Sequence, residues 1–176
     1  DLISSKSSFK IKKDQNGRIK RFKARLVARG FTQIKGVNFE ETFSPTVKQN
    51  TLRLLLAIAA HGDLETKHVD FVTAFLNGEL EEDIYMTQPE GFVVPGKERM
   101  VLKLKKTLYG FKQSSHERKK KLDEKLKVQG FNRSELDRGL YFRATKSFIL
   151  FIAVYVDDML MVYSKADAKE AAAVID

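Results

Sequence analysis

Two adjacent carboxylates, Asp157 and Asp158, sit between two apolar runs at 148–154 and 159–163. Both runs are long enough to be buried strands, so in Tyr155-Val156-Asp157-Asp158 the Asp157-Asp158 step between them reads as the tight turn of a β-hairpin. Like charges held together at the tip of a buried hairpin are costly unless a cation is shared between them. Asp is also a common turn residue with no function, so the tetrapeptide by itself leaves both readings open. A third acid, Asp70, lies far upstream on a short strand predicted at 64–72, flanked by Val69 and Phe71. That long gap argues against an EF-hand-like loop, whose ligands are spaced locally.

The elements around these acids follow from pattern. Residues 9–29 form a basic hairpin in which Phe9-Lys10-Ile11-Lys12 alternates with period two and Asn16-Gly17 supplies the turn. Its Lys and Arg residues can lie along phosphates, or simply protect a sheet edge. Residues 31–50 make an irregular connector. Thr51 is placed to cap a helix over 52–60, with Leu54, Leu55, Ile58 and Ala59 facing a core and Gly62 ending it. Strands are predicted at 84–86 and 100–104. A helix follows near 115–129, with Ser114 and Glu117 as a capping box and Gly130 just past its end. A last helix begins after Ser164. The acidic run Glu79, Glu81, Glu82 and Asp83 reads as a solvated face.

The chain has 176 residues, 43% of them hydrophobic and 31% charged, which fits a folded protein of one domain or two interleaved subdomains. The formal net charge of +9 favours a polyanionic partner such as nucleic acid. There is no cysteine, which excludes disulfides and thiolate zinc sites. His61, His68 and His116 show no metal-ligand spacing and read as incidental. No apolar stretch approaches the roughly 18 residues of a membrane span, and the first residues have no signal-peptide core.

Several segments then converge. They are 23–31 (Lys-Ala-Arg-Leu-Val-Ala-Arg-Gly-Phe), 41–45 (Glu-Thr-Phe-Ser-Pro), Val69-Asp70 with 73–78 (Thr-Ala-Phe-Leu-Asn-Gly), Tyr85-Met86 with 88–92, Leu108-Tyr109-Gly110 with Lys112-Gln113-Ser114, and Tyr155-Val156-Asp157-Asp158. In that order, and across nearly the whole chain, the set resembles the reverse transcriptase of copia-type LTR retrotransposons. The resemblance implies an α+β fold, a right-hand polymerase fragment whose antiparallel palm sheet packs on helices. Fingers would comprise 1–63 and 87–112, and palm 64–86 and 113–176. It implies an RNA-directed DNA polymerase that adds deoxynucleotides to a primer 3′-hydroxyl on an RNA or DNA template.

The site residues come with it. Asp70 and Asp157 would coordinate two Mg²⁺ about 3.5–4 Å apart, with Mn²⁺ able to substitute, and Asp158 would support them. Lys23 and Arg25 would grip the incoming triphosphate. Phe75 would abut the sugar and exclude a 2′-hydroxyl, although position alone reads it as core. Tyr109, Gly110, Lys112 and Gln113 occupy the motif that touches the nascent base pair, with Gly110 letting backbone approach the nucleotide. The family setting implies an intracellular location, in a cytoplasmic particle and the nucleus.

The chain departs from the family at Ser7, Val72, Ser115, Arg118 and Lys119. The last two stand where aromatics are usual, and neither cation enters an apolar pocket readily. A complete enzyme of this type extends further in both directions, so the expected activity of these residues alone is weak or nil. The competing reading is a catalytically dead nucleic-acid-binding remnant of a decayed element; an unrelated structural protein with acidic turns fits the motif order poorly. Both nucleic-acid readings predict that affinity for a labelled primer–template, followed by fluorescence anisotropy, falls by at least about tenfold between roughly 50 and 200 mM salt. Salt-independent binding contradicts both.

Overall fold

A computed structural model describes residues 2–70, 78–80, 82–145 and 149–174. The chain divides into two compact units, Asp1–Phe43 with Phe75–Arg118, and Ser44–Ala74 with Lys119–Asp176. These exchange points differ from the expected boundaries at 63, 86 and 112. The segment 44–63 groups with the acid-bearing sheet because Leu55 and Ala59 pack on Ala153 and Val162. The architecture is α+β, with antiparallel pairing in every sheet and one parallel pair.

In the first unit, β1 (Leu2–Ile3) pairs in parallel with β5 (Tyr85–Thr87), which pairs with β6 (Val101–Lys103). Ile3, Ala28, Ile84 and Phe111 form the buried cluster. β2 (Ser5–Lys13) and β3 (Ile19–Ala28) make a separate two-stranded ribbon. The ribbon turn is longer than the two-residue Asn-Gly form. Asp14 Oδ1 accepts the N–H groups of Asn16 and Arg18, and only Gly17 takes positive φ, at 79°. An Asp side chain thus supplies the turn that a type I′ backbone would have made.

The second unit is a five-stranded antiparallel sheet. Its order is β4 (Glu65–Asp70), β10 (Asp158–Tyr163), β9 (Ile149–Tyr155), β8 (Leu140–Ala144), β7 (Asn132–Arg133). β9 and β10 are apolar on both faces because both faces are covered. One face packs on α1 (Gln49–His61) through Leu55 and Ala59. The other packs on α2 (Ser114–Val128) and α3 (Ala168–Ala173) through Leu126, Ala171 and Val174.

The helix ends repay attention to their partners. α2 closes as read: Gly130 has φ +83°, its N–H donates to Lys127 O, and Phe131 N–H donates to Leu126 O. This is the doubly bonded Schellman ending, with Phe131 and Leu126 sharing one cluster. The expected capping box is corrected. Ser114 is the first helical residue, and its hydroxyl donates to Leu108 O. α1 starts before Thr51 with no local side-chain cap. Asp137, distant in sequence, takes that place by accepting the Lys48 N–H at 2.9 Å and the Thr51 hydroxyl. Leu54 and Ile58, expected in the core, face outward, so α1 buries a single narrow stripe.

Lys119 is buried despite its charge, and a polar network explains it. Its Nζ donates to Arg138 O at 3.1 Å and to the Tyr141 hydroxyl at 3.4 Å, and lies 5.3 Å from the Tyr141 ring centre. Tyr141 donates onward to Asp123 Oδ1 at 3.0 Å, which also receives Arg133, while Lys127 binds Asp123 Oδ2. Burial works to raise the Asp123 carboxyl, but hydrogen bonds from Lys127 and Tyr141 and the charge of Arg133 outweigh it and hold it below the usual range. Burial, reinforced by Asp123, pushes the Tyr141 hydroxyl up. Arg118, in the first unit, is buried too. Replacing Asp123 with Asn leaves cations without their carboxylate and is expected to cost about 3 kcal/mol at pH 7 by urea unfolding. A depressed folded pKa stabilises above the unfolded value, so the gap between Asp123→Asn and wild type closes as pH falls below about 4.

Candidate metal and nucleic-acid site

Asp70 is the last residue of β4, and Asp158 the first of β10. In the antiparallel ladder Asp158 stands opposite Asp70, Met159 opposite Val69, and so on to Tyr163 opposite Glu65. Facing residues of an antiparallel pair project from the same side of the sheet, with Cβ atoms about 4.5–5.5 Å apart. Asp158 is also paired with Tyr155 on β9, so the hairpin turn consists of Val156 and Asp157. It lies one residue earlier than the expected Asp157-Asp158 turn, because Asp158 is drawn into the ladder with β4 and β9. Val156 takes φ +49° and Asp157 does not take positive φ, the pattern of a type II′ turn. The two neighbouring acids therefore differ: Asp157 lies in the turn, half-buried, and Asp158 in the strand, exposed.

Water reaches Asp158, whereas Asp157 Oδ1 is shielded from it, so the desolvation cost falls on Asp157. Two facing carboxylates also repel when no cation is shared. The donor chemistry suits a hard divalent ion, since all three side chains offer carboxylate oxygens. Among the described residues, however, no three acidic or histidine side chains gather into a cluster that could hold a metal ion. Asp158 is instead engaged by a residue of β4. His68 Nε2 lies 2.9 Å from Asp158 Oδ1. His68 was read as incidental. Its signal was its place two residues before Asp70, on the same face of a period-two strand. A cleft of about 330 Å³, lined by Val47, Leu52, Leu56, Ala153 and Leu160 with His68 and Asp158, opens beside this tip.

The remaining predicted residues belong to the first unit. On the β2–β3 ribbon, Lys10 stands opposite Lys23, Lys12 opposite Arg21, and Ser8 opposite Arg25. Alternation puts these cations on one face, and Phe9, Ile11, Phe22 and Ala24 on the other, where both Phe side chains are exposed. Like charges set directly opposite destabilise a ladder, so this face is suited to a polyanion. Arg25 stacks over Tyr109, 5.0 Å from its ring centre.

Gly110 has a reason that the sequence did not reveal. At φ +94°, a Cβ on it would lie 2.2 Å from Ala28 O, and one on Gly30 would lie 1.9 Å from Gly110 O. Tyr109 O accepts the Ala28 N–H at 2.7 Å. The glycines let the 108–112 loop lie against the end of β3. Gln113, expected at the nucleotide, is 1% exposed. Its carboxamide accepts from Gln33 Nε2 and donates to Asn38 O, so here it braces the loop. Lys112 donates its backbone N–H to Gln33 Oε1 and its ammonium to Gln33 O. Phe75, the expected sugar gate, and Val72 lie outside the described residues.

Comparison with known proteins now bears on this arrangement. Residues 2–172 match the family model described as reverse transcriptase (RNA-dependent DNA polymerase). The chain is 47% identical over 161 residues to the retrovirus-related Pol polyprotein from transposon TNT 1-94 of Nicotiana tabacum, covering 91% of this chain and 12% of that protein. It is 36% identical over 160 residues to the corresponding polyprotein from transposon RE1 of Arabidopsis thaliana, covering 91% of this chain and 11% of that one. A putative transposon Ty5-1 protein of Saccharomyces cerevisiae is 43% identical over 93 residues, covering 53% of this chain and 30% of that protein. The chain thus spans about an eighth of the length of the polyproteins it matches. No solved structure matches. Among the described residues no helix is long and apolar enough to cross a membrane.

A β-branched residue in the left-handed region, as Val156 is, stores strain of about 1–2 kcal/mol. Val156→Gly is therefore expected to raise stability by about 1 kcal/mol, read as a higher urea midpoint at unchanged slope.

Proposed function

Because this chain belongs to the reverse transcriptase (RNA-dependent DNA polymerase) family, we propose that it supplies part of a polymerase domain that extends a primer 3′-hydroxyl with deoxynucleotides on an RNA or DNA template. One observation carries the reading: the sheet register sets Asp158 directly opposite Asp70, with Asp157 in the adjoining turn. The unit that bears these acids acts as palm, and the unit that bears the basic ribbon acts as fingers.

Asp70 and Asp157 are the proposed ligands of two Mg²⁺, with Asp158 in support. When bound, such ions activate the 3′-hydroxyl and stabilise charge on the triphosphate and leaving pyrophosphate. The carboxylates set where that charge is held, and the strained turn fixes Asp157 relative to β4. On the ribbon, Lys10, Lys12, Arg21, Lys23 and Arg25 form a face for phosphates, with Arg25 oriented by Tyr109. Lys112 and Gln113 hold the loop that presents Tyr109. Phe75 keeps its proposed role as the gate against a 2′-hydroxyl, on the strength of the motif. The proposed setting is an intracellular particle. Retention of all three acids supports this reading over a catalytically dead remnant.

The test replaces the matching segment of the TNT 1-94 polyprotein's reverse transcriptase region with residues 2–172 and measures Mg²⁺-dependent primer extension. Extension should be retained. Asp70→Asn or Asp157→Asn should each lower the rate by about 1000-fold, the kinetic equivalent of several kcal/mol of lost charge stabilisation. Extension that persists in either variant, or a folded chimera that binds primer–template and adds nothing, overturns the proposal. Residues 1–176 alone should extend weakly or not at all, and processive synthesis by them contradicts that part.

A further inference from the structure

His68 lies on β4 with Asp70, one pleat repeat away, so both project from the face that carries Asp158. Its direct cross-strand partner is Leu160, which makes Asp158 its diagonal neighbour. The 2.9 Å separation between His68 Nε2 and Asp158 Oδ1 is a hydrogen bond. An ionised carboxylate only accepts, so the imidazole nitrogen is the donor.

We propose that His68 is a positioning residue of the metal site: it holds one oxygen of Asp158 and so fixes that carboxylate before a cation arrives. The inference rests on the metal-site reading above. Two facing carboxylates repel, and an Asp at a strand end has free rotamers. A donor diagonally placed on the neighbouring strand engages one Asp158 oxygen and so restricts that carboxylate's orientation. With Oδ1 engaged by His68, Asp158 suits the supporting role proposed for it above. Partners that orient metal-ligating carboxylates typically contribute about 10–100-fold to metal affinity. The side chains of His68 and Asp158 are 65% and 53% exposed, so water competes for the bond and the effect belongs at the lower end of that range.

The test is Mn²⁺ binding by the chain at one fixed pH, followed by the electron paramagnetic resonance signal of the free ion. Wild type, His68→Leu, His68→Gln, Asp158→Asn, the double variant His68→Leu/Asp158→Asn, and Asp70→Asn are compared. His68→Leu should weaken binding about tenfold. His68→Gln, whose amide can donate to the same oxygen, should recover most of that loss. In the Asp158→Asn background His68→Leu should make little further difference, because the two residues act as one unit. Unchanged affinity in His68→Leu overturns the inference alone, as does an equal loss with and without Asp158 or a failure of Gln to rescue. Wild type that takes no Mn²⁺, or Asp70→Asn that binds as wild type does, overturns the metal-site reading and this inference with it.

Discussion

Six consecutive cross-strand pairs join β4 to β10, from Asp158 opposite Asp70 to Tyr163 opposite Glu65. The placement of the acids depends on this register. A slip of one residue would turn Asp70 to the opposite face of the sheet from Asp158. The register is held because β10 is a central strand, apolar toward α1 on one face and toward α2 and α3 on the other. Met159 and Met161 face one helix layer, Leu160 and Val162 the other, so the alternative register would exchange both sets at once. The core thus fixes the acids, and the acids sit where the core ends.

Charge is handled differently in the two units. Behind the sheet, Lys119 is buried but satisfied by a carbonyl, a phenol hydroxyl and a ring face, with Asp123 completing the network. That arrangement lets a basic residue occupy a position where an aromatic was expected, at the cost of fixing Tyr141 and Asp123 in place. On the ribbon like charges are set opposite one another: Lys10 faces Lys23, and Lys12 faces Arg21. Such pairs weaken the isolated ribbon and suit it to an anionic partner. The ribbon's other face carries Phe9 and Phe22, both exposed.

Much of this was legible in the chain. The hairpin followed from two apolar runs (though its turn lies one residue earlier than Asp157-Asp158), the end of α2 from Gly130, and the strand at Asp70 from its flanking residues. These signals are local: a turn, a cap and a pleat depend on neighbours within a few residues. The errors have a common cause. Thr51 was read as the cap of α1, but Asp137 serves that end from elsewhere in the chain. Ser114 matched a capping box, yet its hydroxyl goes to Leu108. Leu54 and Ile58 fit a core-facing period but face outward. β7 and β8 were not anticipated, because Asn132–Arg133 and Leu140–Ala144 become strands by pairing with a sheet already present.

The sequence alone determined the family, the identity of the three acids, the basic ribbon and the two-stranded turn that carries Asp157, since motif order and short-range periodicity are properties of the chain itself. Tertiary structure decided which acid faces which, why Gly110 must be glycine, where the Gln113 amide is spent and that His68 touches Asp158. Each of these is a contact between residues far apart in the chain. No local pattern encodes such a contact, because it is set by strand register and by the closing of two backbones on each other.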